Sequence, residues 1–533
     1  MLPDDQPVMP PSDTHPAIII GGGISGLTAA LHLAEGGLHP LVLEADPRFC
    51  GGRLAGGEDV ELDGWHFRME HGVHGIWAPY RNFHAMLARH DIRPVIVPAQ
   101  EELWAYQQDL ETRSAPVGNA IRRSWLPAPL HYANLLLNRG FWHVAGFEAY
   151  LAQLLVWDGL TMALAVDPLA EGQPLEGLSL KDMVRYWPPR VRALFIGLAR
   201  NGLAGRPEDI PLSGFIAFLR FYTLMRRDSW EFGYIPADGG TNVIEPLAAA
   251  VKALGGAVQL GCQVQRLERL ADPDGTGELW KVHWQAAESG KSGACLARHV
   301  ILAADVCHAA KLVQDSFGPA AAGLYWPPSS KTAVARFWFD APPRPGPEAG
   351  IFSGEFVLDN FFWLHRIQDQ YRRWQRATGG SALEVHLYGP PELLEVEDAV
   401  LLAYARRDVL SLYPELKGHE RHAIFQRNNT PHTIFGVGPA ERHLGVQTPW
   451  PGLFCCGDWV NDPSPAFFLE RACATGIKAA NAVLAAAGKP AFALLDYLPP
   501  EPLAARIESI FRWGRGRLRR QRARRRQGRQ QAG

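Results

Sequence analysis

Three glycines close to the start of the chain have the spacing of a loop that holds the phosphates of a nucleotide. Gly21, Gly23 and Gly26 form the pattern G-x-G-x-x-G. In such a loop the first glycine turns the chain, the second lets the backbone approach a pyrophosphate, and the third allows close packing of the following helix. The pyrophosphate then lies at the N-terminus of that helix. The spacing therefore predicts a dinucleotide-binding loop.

The residues around these glycines predict the strand, helix and strand that must position the loop. Residues 17–20 predict a buried β-branched strand, residues 27–34 a helix rich in alanine and leucine, and residues 41–43 a second strand. Glu44 ends that strand 18 residues after Gly26, where a carboxylate accepts hydrogen bonds from ribose hydroxyls. An acid here repels a 2′-phosphate, so NADP is disfavoured while FAD and NAD both remain.

A second glycine loop follows this unit. Gly51 and Gly52 let the chain reach the same pyrophosphate, and Arg53 can pair with its charge. Taken alone, the segment would fit a surface turn equally well. After the first motif we favour the phosphate role.

Gly457 and Asp458, near the other end of the chain, follow an apolar strand and precede a long helix. An aspartate at a strand end can bond ribityl or phosphate-side hydroxyls. The N-terminus of the helix can stabilise negative charge on a reduced ring. Cys455 and Cys456, in the strand itself, are expected to be small core residues.

Histidines are frequent in residues 64–92. They are His66, His71, His74, His84 and His90. Their spacing is too irregular for a metal pair on one helix face, and no metal site is predicted. The glycines of residues 70–75 would let this stretch approach a flat cofactor ring. His71 and His74 are therefore candidate catalytic residues, although a structural role fits each of them as well.

The composition is that of an ordinary globular protein, with 47% hydrophobic and 20% charged residues. Its 533 residues exceed a single core, so two or more domains are expected. The seven cysteines are scattered and show no C-x-x-C spacing, which predicts neither a disulfide framework nor a zinc site. The first 15 residues lack the basic and apolar regions of a secretory signal, and a cytoplasmic location is expected.

Charge is distributed unevenly along the chain. The formal net charge is −2, and residues 512–533 contain ten arginines and no acid, so residues 1–511 carry −12. This basic tail is either a solvated, disordered terminus or an attachment to an anionic membrane surface. Nucleic-acid binding is not expected, because the body of the protein offers no matching basic face.

Residues 124–166 are strongly apolar and rich in aromatic side chains. Arg139, Glu148 and Asp158 divide them into stretches shorter than the ~20 apolar residues that a membrane-spanning helix needs. Two interpretations remain open. The segment is a buried helical core, or it presents a helical face that dips into one leaflet of a membrane.

Further strands and helices are predicted downstream. Residues 233–270 predict a glycine turn, a helix and a strand that carries Val264, and residues 298–313 predict another buried strand and helix. We expect both units to extend the parallel sheet. The strand-like runs 331–340 and 382–389 predict a separate mixed sheet that forms the floor of a substrate site.

Five segments resemble the flavin amine oxidase and phytoene desaturase superfamily. They are "IIIGGGISGL", "LEAD…CGGRL", "GGTNVIEPL…VQRLE", "HVILAAD" and "GDWV…ERACATGIKAAN", and together they span nearly the whole chain. The resemblance implies FAD as the cofactor. It also implies an α/β fold, with a Rossmann-type FAD-binding domain (G-x-G-x-x-G loop and parallel sheet) interrupted by a mixed α+β substrate domain with apolar helices.

The resemblance also implies which residues contact FAD. They are Gly21, Gly23, Ser25, Gly26, Glu44, Gly51, Gly52, Arg53, Val264, Gly457, Asp458 and Gly476. Glu44 and Gly51 are one residue farther apart than is usual, so the choice between Gly51 and Gly52 at the pyrophosphate is open. Lys331 falls where amine oxidases carry a lysine near flavin N5, and it is a third catalytic candidate. A strand-end lysine facing solvent is the alternative that we prefer.

Within the superfamily, two segments are similar to carotenoid desaturases, namely "MEHGVHGIWAPYRNFHAMLARHDI" and "FFLERACATG". A looser similarity, to the bacterial β-carotene desaturase/methylase and related desaturases, extends over "VARFWFDAPPRPGP…LDNFFWLHRIQDQYRRW…GGSALEVHLYG". This implies dehydrogenation of a carotenoid or related lipophilic isoprenoid, with hydride transfer to flavin N5. A quinone or oxygen would reoxidise the flavin. No strong base is obvious in the sequence. The alternatives are a flavin amine oxidase using Lys331, a carotenoid isomerase or isoprenoid dehydroxylase, and a non-catalytic flavin- or pigment-binding subunit.

These inferences give a domain plan and a location. The plan is a disordered N-terminus (1–15), a discontinuous FAD-binding domain (16–90, 233–313 and 446–489), a substrate and membrane-facing domain (91–232 and 314–445) and a C-terminal extension with the arginine-rich tail (490–533). We expect a cytoplasmic protein that is peripherally or monotopically associated with a membrane through residues 124–166 and the tail.

Overall fold

The computed structural model describes residues 14–92, 94, 96–169, 175–272, 277–434 and 442–531. The N-terminal segment predicted to be disordered lies outside the described residues as far as residue 13, and the first strand already begins at His15. The domain boundaries themselves stay a prediction.

The strands and helices follow one another in mixed order. The strands are β1 (His15–Ile20), β2 (Leu41–Leu43), β3 (Glu58–Leu62), β4 (Trp65–Met69), β5 (Gly75–Trp77), β6 (Val97–Pro98), β7 (Glu102–Gln108), β8 (Glu111–Pro116), β9 (Phe232–Tyr234), β10 (Ala257–Gln259), β11 (Cys262–Ala271), β12 (Glu278–Ala286), β13 (Ser292–Leu302), β14 (Ser329–Phe339), β15 (Ala349–Gly354), β16 (Asn360–Trp363), β17 (Ser381–Leu387), β18 (Glu420–Thr433) and β19 (Leu453–Cys455). The α-helices are α1 (Ile24–Glu35), α2 (Arg81–Arg89), α3 (Gly118–Arg122), α4 (Asn134–Leu137), α5 (Arg139–Ala145), α6 (Glu148–Ala165), α7 (Leu180–Val184), α8 (Pro189–Leu203), α9 (Leu212–Leu219), α10 (Glu245–Ala253), α11 (Val306–Phe317), α12 (Leu364–Ile367), α13 (Asp369–Thr378), α14 (Asp398–Leu412), α15 (Phe468–Ala486) and α16 (Pro502–Gln531). Short 3₁₀ segments lie at Leu130–Ala133, Asp228–Trp230, Gly318–Ala321, Leu393–Glu395 and Pro414–Leu416, and π-helical turns at Arg220–Leu224 and Gly240–Ile244.

The first sheet has the order β10-β2-β1-β13-β12-β11, and β19 pairs with the end of β13. Five of its strands run parallel, as the sequence predicts for a Rossmann-type domain. The strand carrying Val264 departs from the prediction. β11 and β12 are antiparallel to their neighbours, because they and β13 form a meander instead of another βαβ unit.

The glycine loop turns the chain from β1 into α1 at very short range. A Cβ atom on Gly26 would lie 2.0 Å from the carbonyl oxygen of Gly21, so no larger residue fits between the turn and the helix. Gly476 likewise allows α15 to approach α1 closely, because a Cβ atom there would lie 2.6 Å from the carbonyl oxygen of Ser25. These close approaches fix both helices against the first sheet.

The second sheet has the order β18-β14-β17-β16-β15-β7-β8. Its strands pair antiparallel except for the parallel pair β15 and β7, which confirms the predicted mixed sheet over residues 331–340 and 382–389. Strand β17 is buried along its whole length. Such continuous burial indicates that both faces of the sheet are covered.

The apolar segment and the C-terminal extension form helices that pack on each other. Ala504 of α16 is fully buried in one cluster with Leu160, Ala163 and Leu164 of α6. The same helix continues through the basic tail as far as Gln531, so the interpretation of these residues as a disordered terminus is wrong. In the part of the chain that is described, no helix combines the length and the apolarity needed to cross a membrane.

Candidate cofactor and substrate cavity

A large cavity lies where three parallel strands of the first sheet end. The chain leaves β1, β13 and β19 through Gly23, Ala303 and Gly457, and all three residues line this cavity. The opposite wall comes from the second sheet, where Thr332, Ile351, Asn360, Phe362 and His386 face it. In open α/β sheets, ligands bind outside the carboxyl ends of the parallel strands, and this cavity has that position.

The two predicted phosphate loops lie side by side at one end of the cavity. The Gly51 N–H donates to the Gly22 carbonyl at 3.0 Å, and Gly23, Gly51 and Gly52 all line the cavity. A Cβ atom on Gly23 would meet no protein atom within 4 Å, so space for a ligand is present there. Gly23 also caps α1 without a side-chain hydrogen bond, which leaves backbone N–H groups for an anion.

Arg53 brings a positive charge to this end of the cavity. Its guanidinium donates to the carboxylate of Asp458, and the Thr433 hydroxyl donates to the other Asp458 oxygen at 3.2 Å. Asp458 is 4% exposed, whereas Arg53 is 25% exposed. The cation is thus held in place by a buried acid and still has a free side towards a ligand.

Glu44 lies directly behind the first loop. Its two carboxylate oxygens accept from the Gly22 N–H at 2.7 Å and from the Asp46 N–H at 2.9 Å. Burial raises the pKa of Glu44, and these two N–H groups oppose that rise. The carboxylate therefore holds the loop and the end of β2 together.

The predicted cofactor residues fall into three groups. Those that line the cavity are Gly23, Ser25, Gly51, Gly52, Arg53, Gly457 and Asp458. Gly21, Gly26 and Glu44 support the loop from behind. Val264 and Gly476 are not among the residues that line the cavity, since Val264 lies opposite Trp284 in the antiparallel meander and Gly476 packs on α1.

Both candidate histidines line the cavity. Burial lowers the pKa of His74 to about 4, so its imidazole is neutral at pH 7. The same cause lowers the pKa of His432, another lining residue, to about 4. With these two imidazoles neutral, the positive charge beside the glycine loops comes from Arg53.

The third candidate, Lys331, is not at the cavity. It is exposed, and its neighbour Thr332 lines the cavity instead. Side chains alternate between the two faces of a strand, so Lys331 lies on the face opposite to its buried neighbours Ser330 and Thr332. This position agrees with the solvent-facing alternative, and a role for Lys331 near flavin N5 stays a prediction.

Several aromatic rings line the rest of the cavity. They include Trp77, Phe218, Trp230, Phe232, Phe362 and Phe468. The rings of Trp77 and Phe232 lie 4.4 Å apart between centroids, in a packed row. The sequence contains no sign of this wall, because its members come from five separate segments that only the fold brings together.

Residues 24–484 match the model of the family described as flavin containing amine oxidoreductase. The chain belongs to this family. FAD is its cofactor, and its α/β fold with a Rossmann-type FAD-binding domain is that of FAD-dependent oxidases. The glycine loops, the uncapped helix and Arg53 fit the pyrophosphate of such a cofactor.

Curated relatives of this flavin oxidoreductase act on carotenoids by their names. The chain is 26% identical to the carotenoid phi-ring synthase of Chlorobaculum tepidum and 25% identical to that of Streptomyces griseus, with 88% of each chain covered in both cases. It is 24% identical to the 15-cis-phytoene desaturase of Arabidopsis thaliana over 49% of this chain and 43% of that protein. The fold is similar to cyclohexylamine oxidase from Brevibacterium oxydans, with a TM-score of 0.63, 14% identity and coverage of 89% of this chain and 100% of the other.

Proposed function

We propose that this flavin oxidoreductase dehydrogenates a carotenoid or a related lipophilic isoprenoid. The observation that carries the proposal is that the glycine loops and Arg53 lie at one end of the cavity, while aromatic and aliphatic side chains form much of the remaining wall. A polyene offers no polar groups to bond and needs a long apolar wall, which the aromatic residues supply. The names of the two phi-ring synthases and of the phytoene desaturases support the same substrate class.

The chain's own residues would bind, orient and shield the reactants. Gly23, Gly52 and Arg53 would hold the pyrophosphate of FAD, and Asp458 would keep Arg53 in place. When bound, FAD supplies the acceptor for a hydride. The aromatic wall would exclude water and hold an allylic carbon of the substrate against that acceptor.

An amine substrate has less support. The sequence feature that favoured it, Lys331, lies on the outside of the second sheet. The residue that lines the cavity at this point of β14 is Thr332, which carries no charge.

We further propose that the substrate arrives from a membrane surface. Phe147 and Leu154, at the start of α6 and within it, are 77% and 81% exposed, and Ile510 and Trp513 of α16 are 65% and 61% exposed. These side chains are suited to the interface of a bilayer, where arginines of α16 would meet anionic headgroups. A quinone or oxygen would then serve as the final electron acceptor.

A charge placed in the apolar part of the cavity wall tests the substrate proposal. Ile351→Arg puts a cation among the lining residues of the second sheet, away from the glycine loops. We expect the variant to retain FAD but to lose anaerobic bleaching of the flavin by β-carotene or lycopene in detergent. Val400→Arg, at an exposed position of α14, is the matched control. A variant that is bleached as fast as the wild type would contradict the proposal.

A further inference from the structure

A buried chain of hydrogen bonds runs along the cavity wall of β17. Glu384 and His386 are two residues apart on one face of this strand, and Tyr388 follows just beyond its end. His386 Nε2 lies 2.9 Å from a Glu384 oxygen, and His386 Nδ1 lies 2.8 Å from the Tyr388 hydroxyl. His386 and Tyr388 both line the cavity. No strong base is obvious in the sequence, and these hydrogen-bonded side chains bring a candidate proton acceptor to the cavity wall.

Glu384, at one end of this hydrogen-bond chain, is held in place by two donors besides His386. Arg336, opposite Glu384 in the sheet register, donates through its Nε at 3.1 Å to one carboxylate oxygen. The Val73 N–H donates at 2.7 Å to the other oxygen, the one that meets His386. Burial would raise the pKa of Glu384, but Arg336 and His386 outweigh it and hold that pKa at about 2. The carboxylate is therefore ionised and accepts the proton of His386 Nε2.

The ionised Glu384 carboxylate fixes the direction in which the hydrogen bonds of His386 and Tyr388 are donated. With its proton on Nε2, His386 has an acceptor at Nδ1, and the Tyr388 hydroxyl must donate to it. The tyrosine oxygen keeps acceptor capacity towards the cavity. An imidazole between a carboxylate and a hydroxyl is the arrangement by which enzymes withdraw a proton from a hydroxyl group.

This hydrogen-bond chain also lies close to the end of the cavity where the cofactor is predicted to bind. A Cβ atom on Gly72 would stand 2.8 Å from the His386 ring, so a glycine is needed for the loop of His71 and His74 to pass this ring. Beside Tyr388, Asn360 donates to the tyrosine oxygen at 3.3 Å. The Asn360 Oδ1 is buried and has no hydrogen-bond partner within the described residues. The partial negative charge on this oxygen could stabilise a positive charge on a substrate carbon.

We propose that Tyr388, through His386 and Glu384, accepts the proton that the substrate loses. The inference rests on the proposed dehydrogenation. One substrate carbon gives up a hydride, for which oxidised flavin is the acceptor, and the neighbouring carbon gives up a proton to the Tyr388 oxygen. The electron pair of the second C–H bond becomes the new carbon–carbon π bond. The phenol's own proton passes to His386 Nδ1, and the resulting imidazolium is stabilised by the Glu384 carboxylate. In this scheme Tyr388 is the catalytic residue, and the other two are positioning residues.

Anaerobic flavin reduction by β-carotene, γ-carotene and lycopene tests the relay in FAD-loaded Tyr388→Phe. We expect the variant to bind FAD as the wild type does and to reduce it about 100-fold more slowly, the effect of losing one acid–base group. Reduction by the wild type should be slower in D₂O, and this solvent isotope effect should vanish in the variant. Tyr413→Phe is the control, since Tyr413 is a buried tyrosine directly after α14 whose hydroxyl accepts from Trp363 of β16 and which is not among the residues that line the cavity. Reduction of Tyr388→Phe at the wild-type rate would overturn the inference.

A second measurement separates the relay from the proposed function. Nitrogen-15 spectra of histidine-labelled wild type, with His386 assigned by its loss in His386→Gln, report the protonated nitrogen without any substrate. We expect the proton on Nε2 alone at pH 7 and a shifted Nδ1 signal in Tyr388→Phe. A proton on Nδ1 would overturn the relay even if carotenoids reduce the flavin. If no carotenoid reduces the wild-type flavin, the proposed function is wrong and the relay with it, whatever the tautomer.

Discussion

The guanidinium of Arg53 donates to the carboxylate of Asp458 across 405 residues of sequence, and both side chains line the same cavity. The pair ties the second glycine loop to the segment that follows β19. Because Asp458 is nearly fully buried, Arg53 has the fixed orientation that binding a pyrophosphate requires. This ion pair is the centre of the proposed cofactor site.

Arg53→Ala should therefore yield protein with little FAD. The change removes the cation that would meet the phosphates and leaves the Asp458 carboxylate buried without its partner. The ratio of flavin absorbance to protein absorbance after dialysis measures the loss. Arg48→Ala removes an exposed arginine from the same loop, outside the cavity lining, and should keep its FAD. Equal flavin content in the two variants would contradict a phosphate role for Arg53.

Glu44→Gln should weaken FAD binding by about tenfold, as expected when charged hydrogen bonds of 1.5–3 kcal/mol become neutral ones. The carboxylate accepts from the Gly22 and Asp46 N–H groups, and its loss loosens the loop even before a ribose is considered. Titration of the apoprotein with FAD by flavin fluorescence gives the dissociation constant. Glu61→Gln, exposed on β3, is a suitable control. Unchanged affinity in Glu44→Gln would count against the position assigned to the ribose.

Gly26→Ala should prevent FAD binding by a purely steric effect. The added Cβ atom would lie 2.0 Å from the Gly21 carbonyl oxygen, and either the turn or α1 must move. Gly346→Ala adds the same atom to a loop where no protein atom lies within 4 Å. We expect the first variant to be purified without flavin or with a lowered melting temperature, and the second to match the wild type. Normal flavin content and stability in Gly26→Ala would contradict the packing described.

Lys331→Met should leave flavin reduction by a carotenoid unchanged. The side chain is exposed on the outer face of β14 and does not line the cavity. Stopped-flow reduction rates of variant and wild type under anaerobic conditions make the comparison. A loss of more than tenfold would place Lys331 in the reaction and would restore the amine-oxidase interpretation.

Acid should destabilise the fold through its buried histidines. Burial lowers the pKa to about 4 for His32, His74, His131, His365, His432 and His443. Between pH 6.5 and about 4 the unfolded chain binds protons at these sites while the folded chain does not, so the free energy of unfolding falls as the pH falls through this window. Melting temperatures of the apoprotein between pH 7.5 and 5 measure the effect. Constant melting temperatures over that range would contradict neutral burial of these side chains.

The cofactor end of the cavity could be predicted because its determinants are local in sequence. Gly21, Gly23 and Gly26 lie in one turn, and Glu44 follows at a spacing set by one helix and one strand. The direction of the strand that carries Val264 could not be predicted in this way. This strand comes soon after helix α10, as in a βαβ unit, but strand direction depends on pairing with β12, which no local pattern specifies.

The substrate end could not be predicted, because its residues meet through sheet register. Glu384 and His386 lie in a short run that indicates an ordinary strand. Their role depends on the pairing of β14 with β17, which places Arg336 opposite Glu384. The helix of the basic tail could not be predicted for a related reason. The charge of residues 512–533 suggested disorder, but they continue a helix whose first turns are held by Ala504, which packs on α6, and by Glu508, which pairs with Arg220 at 2.7 Å.

Product analysis after a single anaerobic turnover shows whether the protein dehydrogenates a carotenoid. FAD-loaded protein in mild detergent is mixed with phytoene, lycopene or β-carotene, the bleaching of the flavin is recorded, and the carotenoids are extracted for mass spectrometry. We expect one of these polyenes to bleach the flavin and to be recovered with two hydrogens fewer for each FAD reduced. A flavin that amines bleach and polyenes leave oxidised, or a polyene product with an unchanged number of hydrogens, would contradict this expectation.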